Sequence, residues 1–203
     1  MSKKLFQYAG VAASVVLIAF GIGAIVAGLS GHNTVKNDLN TEQIVGTPDM
    51  TPAAIAAEAK AAGLKNVALP TCSVAGQSID TGTRAHCFAQ YMRIHTLEAT
   101  GGQVYAQMAR YLDKNGKPTD DQGLAAVDPK TQKPVENGAR NIWINETALT
   151  TALNTSFFAQ SVAMFAIVMG IALLLVGFGF LVLTLGPLAN RERRVAPVAV
   201  TQP

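Results

Sequence analysis

Two long apolar stretches decide the fold of this chain: VAASVVLIAFGIGAIVAGL, from Val11 to Leu29, and SVAMFAIVMGIALLLVGFGFLVLTL, from Ser161 to Leu185. With a rise of about 1.5 Å per residue, helices of these lengths would be about 28 and 38 Å long, enough to cross a hydrocarbon layer of about 30 Å. Neither stretch contains a charged residue. We therefore predict two transmembrane helices that flank the rest of the chain.

Basic residues lie beyond both stretches, and these residues set the expected orientation. Lys3 and Lys4 precede the first stretch, whereas Arg191, Arg193 and Arg194 follow the second. Lys and Arg near a span are retained on the cytoplasmic side of the cell membrane, so both termini are predicted to be cytoplasmic. The predicted order is a cytoplasmic tail (1–10), a transmembrane helix (11–29), an extracytoplasmic domain (30–157), a second transmembrane helix (158–186) and a cytoplasmic tail (187–203).

A cleaved secretory signal is the alternative for the first stretch, with Val26-Ala27-Gly28 as a small-residue cleavage site. The apolar core of a signal peptide is usually about 7 to 15 residues long. This stretch is longer, which favours an uncleaved anchor. Cleavage would leave one span and the same outer domain.

The net positive charge of the chain comes from residues outside its central segment. The net charge is +3, but residues 30–157 contain 11 Lys or Arg against 12 Asp or Glu. The basic excess therefore lies in the tails, where it faces anionic lipid headgroups, and no basic stripe remains to follow phosphates. We expect the lipid bilayer as a partner and no nucleic acid.

The two cysteines, Cys72 and Cys87, both fall in the segment predicted to lie outside the cytoplasm. An oxidising compartment favours a disulfide between them, with two buried free thiols as the alternative. The bond would close a loop of about 16 residues and stabilise the domain by roughly 3 kcal/mol.

The central segment has the signals of a small, mostly helical domain, so the predicted fold class is mainly α. Thr51-Pro52 and Gly63 bound a helix over Pro52 to Ala62, and a second helix runs from Thr83 to the pair Gly101-Gly102. Apolar spacing predicts a further helix over Val104 to Leu112, which would close a helical hairpin. The sequence predicts three other segments: an irregular lead over Gly31 to Thr47, an exposed excursion or hairpin tip over Asp113 to Asn137, and a helix from Arg140 into the second span.

Small residues recur at helical spacing within the apolar stretches and allow close approach of helix backbones. We predict mutual packing of the two spans through these pairs, or packing on partner helices. The candidate packing residues are Gly23 with Ala27, Ala24 with Gly28, and Ala166 with Gly170. Neither span holds an ionisable side chain, which argues against an ion or proton pathway formed by this chain alone.

Catalytic and metal-binding patterns are sparse. His86 and His95 lie nine residues apart and so on opposite sides of a helix, and His95 with Glu98 forms a single His/carboxylate pair without a second such motif. We expect no catalytic residue, no cofactor and no metal, and we expect His95 to act through packing. As an alternative, we predict one candidate ligand pocket, formed by Tyr91, His95, Glu98 and Tyr105.

Two strings carry a resemblance to a known family: IHTLEATGGQVYAQMAR (94–110) and NIWINETALTTALNTSFFAQSVAMFAIVMGIALLLVGFGFLVL (141–183). They resemble actinobacterial two-span membrane proteins of unknown function, many of which carry the label of aromatic ring-opening dioxygenase. Enzymes of the extradiol type hold iron with two His and one carboxylate, a set that His86 and His95 do not supply on one helix face. We therefore take from the resemblance only the two-span topology and an actinobacterial source, and we do not predict ring-opening dioxygenase activity.

Two function classes follow from these observations. The first is a non-enzymatic accessory or scaffold subunit of a cell-envelope complex, which acts through its outer domain on a membrane-protein partner or a second copy. The second is an extracytoplasmic ligand-binding protein or envelope enzyme that uses the candidate pocket. We favour the first class because it needs no catalytic residues, and the sequence shows no nucleophile paired with a base.

Overall fold

The computed structural model describes residues 3–186, which divide into two compact units. The first unit contains residues 3–34 and 161–186, and the second contains residues 35–160. The predicted tail 187–203, with its three arginines, lies outside the described residues. The elements in chain order are α1 (Lys3–Thr41), α2 (Pro52–Ala61), α3 (Gly82–Ala99), a 3-10 turn (Tyr105–Gln107), β1 (Tyr111–Leu112), β2 (Pro118–Thr119) and α4 (Gly138–Leu185).

The first unit is an antiparallel pair of helices that pack through small residues. A Cβ atom added to Gly28 would lie 2.6 Å from the Ala163 carbonyl oxygen, and one added to Gly170 would lie 2.6 Å from that of Gly21. Buried small residues recur every seven positions, which is two turns at 3.5 residues per turn and typical of a helix seam. These residues are Ser14, Gly21 and Gly28 in α1, and Ala163, Gly170, Gly177 and Thr184 in α4.

The outer faces of the same two helices are apolar and exposed. The exposed fraction is 70% for Phe20, 69% for Leu175 and 66% for Val182. Both α1 and α4 are long enough and apolar enough to cross a membrane. The expectation of two long apolar helices is therefore confirmed.

The predicted irregular lead over Gly31 to Thr47 is wrong for most of its length, because α1 continues to Thr41. Gly31 is an isolated glycine, which a helix tolerates. Val35 and Leu39, spaced four residues apart, are buried in the core of the second unit. Burial of these two side chains on one helix face stabilises the helix, although the residues between them are polar.

The core of the second unit forms where α2 and α3 pack together. Ile55 of α2 and Tyr91 and Ile94 of α3 are at most 1% exposed. Thr51 caps α2 by accepting a hydrogen bond from the Ala54 amide at 3.3 Å, and Pro52 occupies the first helical position. The predicted helix over Pro52 to Ala62 is confirmed to within one residue.

Cys72 and Cys87 form a disulfide, as the sequence predicts, with their Cα atoms 6.1 Å apart. Cys87 lies in the second turn of α3, and Cys72 lies in the irregular segment before that helix. The Tyr91 hydroxyl donates a hydrogen bond to the Cys72 carbonyl oxygen at 2.6 Å. The irregular segment is thus attached to α3 at two points.

Helix α3 begins and ends close to its predicted positions. The Thr81 side chain caps its start, and Gly101 and Gly102 follow its end with φ values of +62° and +76°. Glycine reaches these angles without the steric cost that a Cβ imposes. The helix predicted by the Thr83 and Gly101 signals is confirmed.

The helix predicted over Val104 to Leu112 is wrong. Only a 3-10 turn forms at Tyr105–Gln107, after which Tyr111–Leu112 pairs with Pro118–Thr119 in an antiparallel hairpin. Short apolar runs do not distinguish a helix from a strand, and the Asn115-Gly116 turn favours the hairpin here. The segment 113–137 is mostly exposed, as predicted, and α4 runs without interruption from Gly138 to Leu185.

Candidate functional site

Four side chains of the second unit form what we call the acid–imidazole cluster: Asp49, Glu58, His95 and Glu98. Nδ1 of His95 lies 2.6 Å from Oε1 of Glu58, and Nε2 lies 3.4 Å from Oδ2 of Asp49. One potential ligand atom from each of these three residues lies within 4.8 Å of the other two. The fold therefore brings two carboxylates from distant parts of the chain to one imidazole ring.

The packing of α2 on α3 explains how the cluster is assembled. Ile55 and Ala59 of α2 face the core, which leaves Glu58 at the edge of the contact. On α3, His95 follows the buried Ile94 and lies at the same edge. Asp49 comes from the turn before α2, where the Thr51 amide donates to its carbonyl oxygen at 2.7 Å. Three rigid segments thus position the carboxylates and the ring.

Hydrogen bonds and nearby charges shift the pKa values of Asp49 and Glu98 in opposite directions. The Thr47 hydroxyl donates to the carboxylate of Asp49 and lowers its pKa, and His95 adds a smaller effect of the same sign. A hydrogen bond between the side chains of Glu98 and Glu58 raises the pKa of Glu98, and desolvation and repulsion from Glu58 act in the same direction. The hydrogen bond to Glu58 therefore favours the protonated form of Glu98.

The four residues of the predicted pocket do not all reach this cluster. His95 and Glu98 belong to it. Tyr91 is 0% exposed and lies in the core, where burial raises the pKa of its hydroxyl. Tyr105 lies elsewhere, with the Arg140 guanidinium carbon 4.2 Å from the centre of its ring.

Tyr105 lines an open apolar groove on the second unit. The groove has a volume of about 540 Å³ and is bordered by the N-terminal part of α4. Its lining residues are Tyr105, Trp143, Ile144, Thr147, Ala148 and Thr151. Trp143 itself is 8% exposed and packs with Leu97 and Met108 in a small core cluster.

The candidate packing residues of the two apolar helices divide between the seam and the outer surface. Gly28 and Gly170 are buried in close contact with the opposite helix, and Ala24 and Ala166 are half-buried. Gly23 and Ala27 are exposed, and a Cβ atom on Gly23 would meet nothing within 4 Å. The contacts follow a seven-residue spacing rather than the four-residue spacing used to choose the pairs.

Sequence reasoning missed Asp49 and Glu58 as neighbours of His95. Helical spacing indicates only the neighbours of His95 on its own helix, whereas these two acids belong to the turn before α2 and to α2 itself. One signal was present, since Glu58 is the only carboxylate in the alanine-rich sequence PAAIAAEAKA of α2. A single acid in such a helix is a candidate for a specific tertiary contact.

The two histidines of α3 have partners that define their chemistry. His86 bonds through its ring nitrogens to Asn154 at 2.7 Å and Gln90 at 3.0 Å, and its ring stacks on Phe157. His95 faces carboxylates. Neither arrangement pairs a base with a hydroxyl or thiol nucleophile, whereas His95 with its carboxylates offers the atoms that bind divalent metal ions. No protein-family model, curated protein or solved structure matches the chain.

Proposed function

We propose that this chain is a two-pass protein of the cell membrane whose central domain acts outside the cytoplasm as a non-enzymatic interaction module. In this role the protein is an accessory or scaffold subunit of a cell-envelope complex. Its partner is another membrane protein or a second copy of the chain.

The exposed apolar surface of the first unit is the observation that carries this proposal. Side chains such as Phe20, Leu175 and Val182 are about two-thirds exposed along helices of 39 and 48 residues. Helices of these lengths extend about 58 and 72 Å, more than a hydrocarbon layer of about 30 Å requires. The apolar stretches within these helices, 11–29 and 161–185, expose surface that is unfavourable in water and is satisfied by lipid chains.

The orientation rests on the basic flanks and on the disulfide. Lys3 and Lys4 precede the first apolar stretch and three arginines follow the second, which favours cytoplasmic termini. The bond between Cys72 and Cys87 is of a kind that persists in oxidising compartments and is rare in the cytosol. Two independent features therefore favour the same side for residues 35–160.

An interaction role is favoured over catalysis by the local chemistry of the second unit. His86 is occupied by two amide side chains, and Nε2 of His95 makes no hydrogen bond to a hydroxyl or thiol within the described residues, so neither histidine is positioned to activate a nucleophile. The alternative, a ligand-binding protein or envelope enzyme, would use the surroundings of His95 and Glu98.

Topology can be tested by placing single cysteines at Ser2 and at Asp120 and adding a membrane-impermeant maleimide to intact cells. The native cysteines are bridged and do not react, so they stay in place. We expect labelling at position 120 in intact cells and at position 2 only after lysis. Labelling at position 2 in intact cells would contradict the proposed orientation.

The interaction role can be tested by extracting the tagged chain from native membranes in mild detergent and measuring the mass of the particle. We expect a particle larger than one chain with a partner, or a second copy, in fixed stoichiometry. A single chain that retains a small organic molecule would instead support the ligand-binding alternative.

A further inference from the structure

We propose that Asp49 and His95 bind a divalent transition metal ion, with zinc as the best match, and that Glu58 orients His95 for this purpose. The site is separate from the proposed interaction role, which does not require a metal. It also revises the expectation that His95 acts through packing alone, because its partners come from outside its own helix.

The hydrogen bond at Nδ1 fixes the state of the His95 ring. An ionised Glu58 carboxylate can only accept a hydrogen bond, so the proton of a neutral His95 lies on Nδ1, 2.6 Å from Oε1. The Nε2 lone pair then points away from Glu58. Metal-binding histidines commonly have this arrangement, in which a carboxylate holds one ring nitrogen and the metal takes the other.

Nε2 is the atom that lacks a partner. It is buried and makes no hydrogen bond within residues 3–186, although Oδ2 of Asp49 lies 3.4 Å away. In the neutral ring, two electron-pair donors therefore face each other. A cation between Nε2 and the Asp49 carboxylate would remove this mismatch.

The separation of these two atoms is closer to that of two ligands of one metal ion than to that of a charged hydrogen-bonded pair. A charged N–H donor and a carboxylate are normally about 2.7 to 2.9 Å apart, which is shorter than the observed distance. Zinc binds imidazole nitrogen and carboxylate oxygen at about 2.0 to 2.2 Å, so two ligands at a tetrahedral angle lie about 3.4 Å apart. The observed 3.4 Å between Nε2 and Oδ2 matches this edge.

The ligand types also favour zinc over the hard cations. Calcium and magnesium prefer sites built entirely from oxygen atoms, whereas an imidazole nitrogen suits zinc and its neighbours in the first transition row. The side chain of Asp49 is 45% exposed, so water can complete the coordination shell. Glu98 is hydrogen-bonded to Glu58 and so supports the orienting carboxylate.

The test uses the full chain in detergent, purified without a histidine tag, stripped with EDTA and titrated with zinc in a calorimeter. We expect one equivalent to bind. Asp49→Asn and His95→Gln should each weaken binding by roughly 100-fold or more, and Glu58→Gln by roughly 10- to 100-fold, the range typical of orienting partners. His86→Gln, a matched change on the same helix, should alter affinity less than about twofold, because His86 bonds to amide side chains.

Two further measurements separate loss of metal binding from loss of folding and report on the geometry of the site. Metal-free melting curves show whether each variant folds. If His95→Gln does not fold, Asp49→Asn decides the outcome, because Asp49 is only half-buried and lies outside the core. Cobalt(II) in place of zinc should give the strong visible absorption of a tetrahedral site. No saturable zinc binding, binding that survives Asp49→Asn, or equal loss in His86→Gln would overturn the proposal.

Discussion

Replacing Gly28 by alanine should destabilise the contact between the two apolar helices, whereas the same change at Gly23 should not. Both glycines lie within α1, five residues apart. A Cβ atom on Gly28 would lie 2.6 Å from the Ala163 carbonyl oxygen and 2.6 Å from a side-chain carbon of Ile167, whereas one on Gly23 meets nothing within 4 Å. The two variants therefore add the same methyl group to a crowded and an open position.

The size of the effect follows from these distances. Ordinary contact between a carbon and its neighbour begins at about 3.4 Å, so the helices must part by up to about 0.8 Å near Gly28. A gap of this size forfeits a quarter to a half of the dispersion energy of the atoms around it, and overpacking typically costs about 1 to 3 kcal/mol. Alanine gains about 1 kcal/mol of helix propensity over glycine at either position. Gly28→Ala should thus be less stable than Gly23→Ala by about 1 to 3 kcal/mol.

The assay is unfolding of the full chain by SDS in mixed micelles, followed by circular dichroism, with the free energy of unfolding compared between the two variants. A second pair on α4 provides an independent check, since Gly170 contacts the Gly21 carbonyl oxygen and Gly179 faces open space. Equal stability within about 0.3 kcal/mol for Gly28→Ala and Gly23→Ala would refute the seam.

Two further predictions concern the second unit. Replacing Cys72 and Cys87 together by serine should lower the free energy of unfolding by about 3 kcal/mol through the lost loop constraint, and reductant should lower wild-type stability equally in denaturant titrations. The pKa of Glu98 is raised above its ordinary value of 4.5. Protonated Glu98 therefore stabilises the fold below pH 4.5, and this stabilisation is lost as the pH rises through the raised pKa. In EDTA, Glu98→Gln should therefore be more stable than wild type at pH 8 by up to about 0.5 kcal/mol and equally stable at pH 4. The difference is small because solvent screens the repulsion between Glu98 and Glu58. A lower stability of Glu98→Gln at pH 8 would contradict this.

Local signals in the sequence were sufficient for the helices that begin and end at strong caps. Thr51 with Pro52 located the start of α2, and Gly101 and Gly102 located the end of α3, because capping and positive φ depend on a few neighbouring residues. The disulfide followed from the number of cysteines and the expected compartment. These inferences needed no knowledge of distant contacts.

The errors arose where distant contacts override a local pattern. The polar residues from Gly31 to Thr41 resemble a loop until Val35 and Leu39 are seen in the core of the second unit. Tyr111 and Leu112 fit a helical spacing but pair with Pro118 and Thr119 across a turn. In the same way, the four-residue search for small pairs found Gly28 and Gly170 but not the seven-residue seam to which they belong.

The partial burial of the acid–imidazole cluster determines the chemistry open to it. Fully buried, two carboxylates beside a neutral imidazole would have to take up protons, because unpaired charge is costly away from water. Fully exposed, the side chains would rotate freely and the imidazole would not keep its proton on Nδ1. Asp49, Glu58 and His95 are all half-buried, so Glu58 can hold the ring while water and ions reach Asp49. A zinc ion bound here could therefore exchange with solvent without unfolding of the α2 and α3 contact.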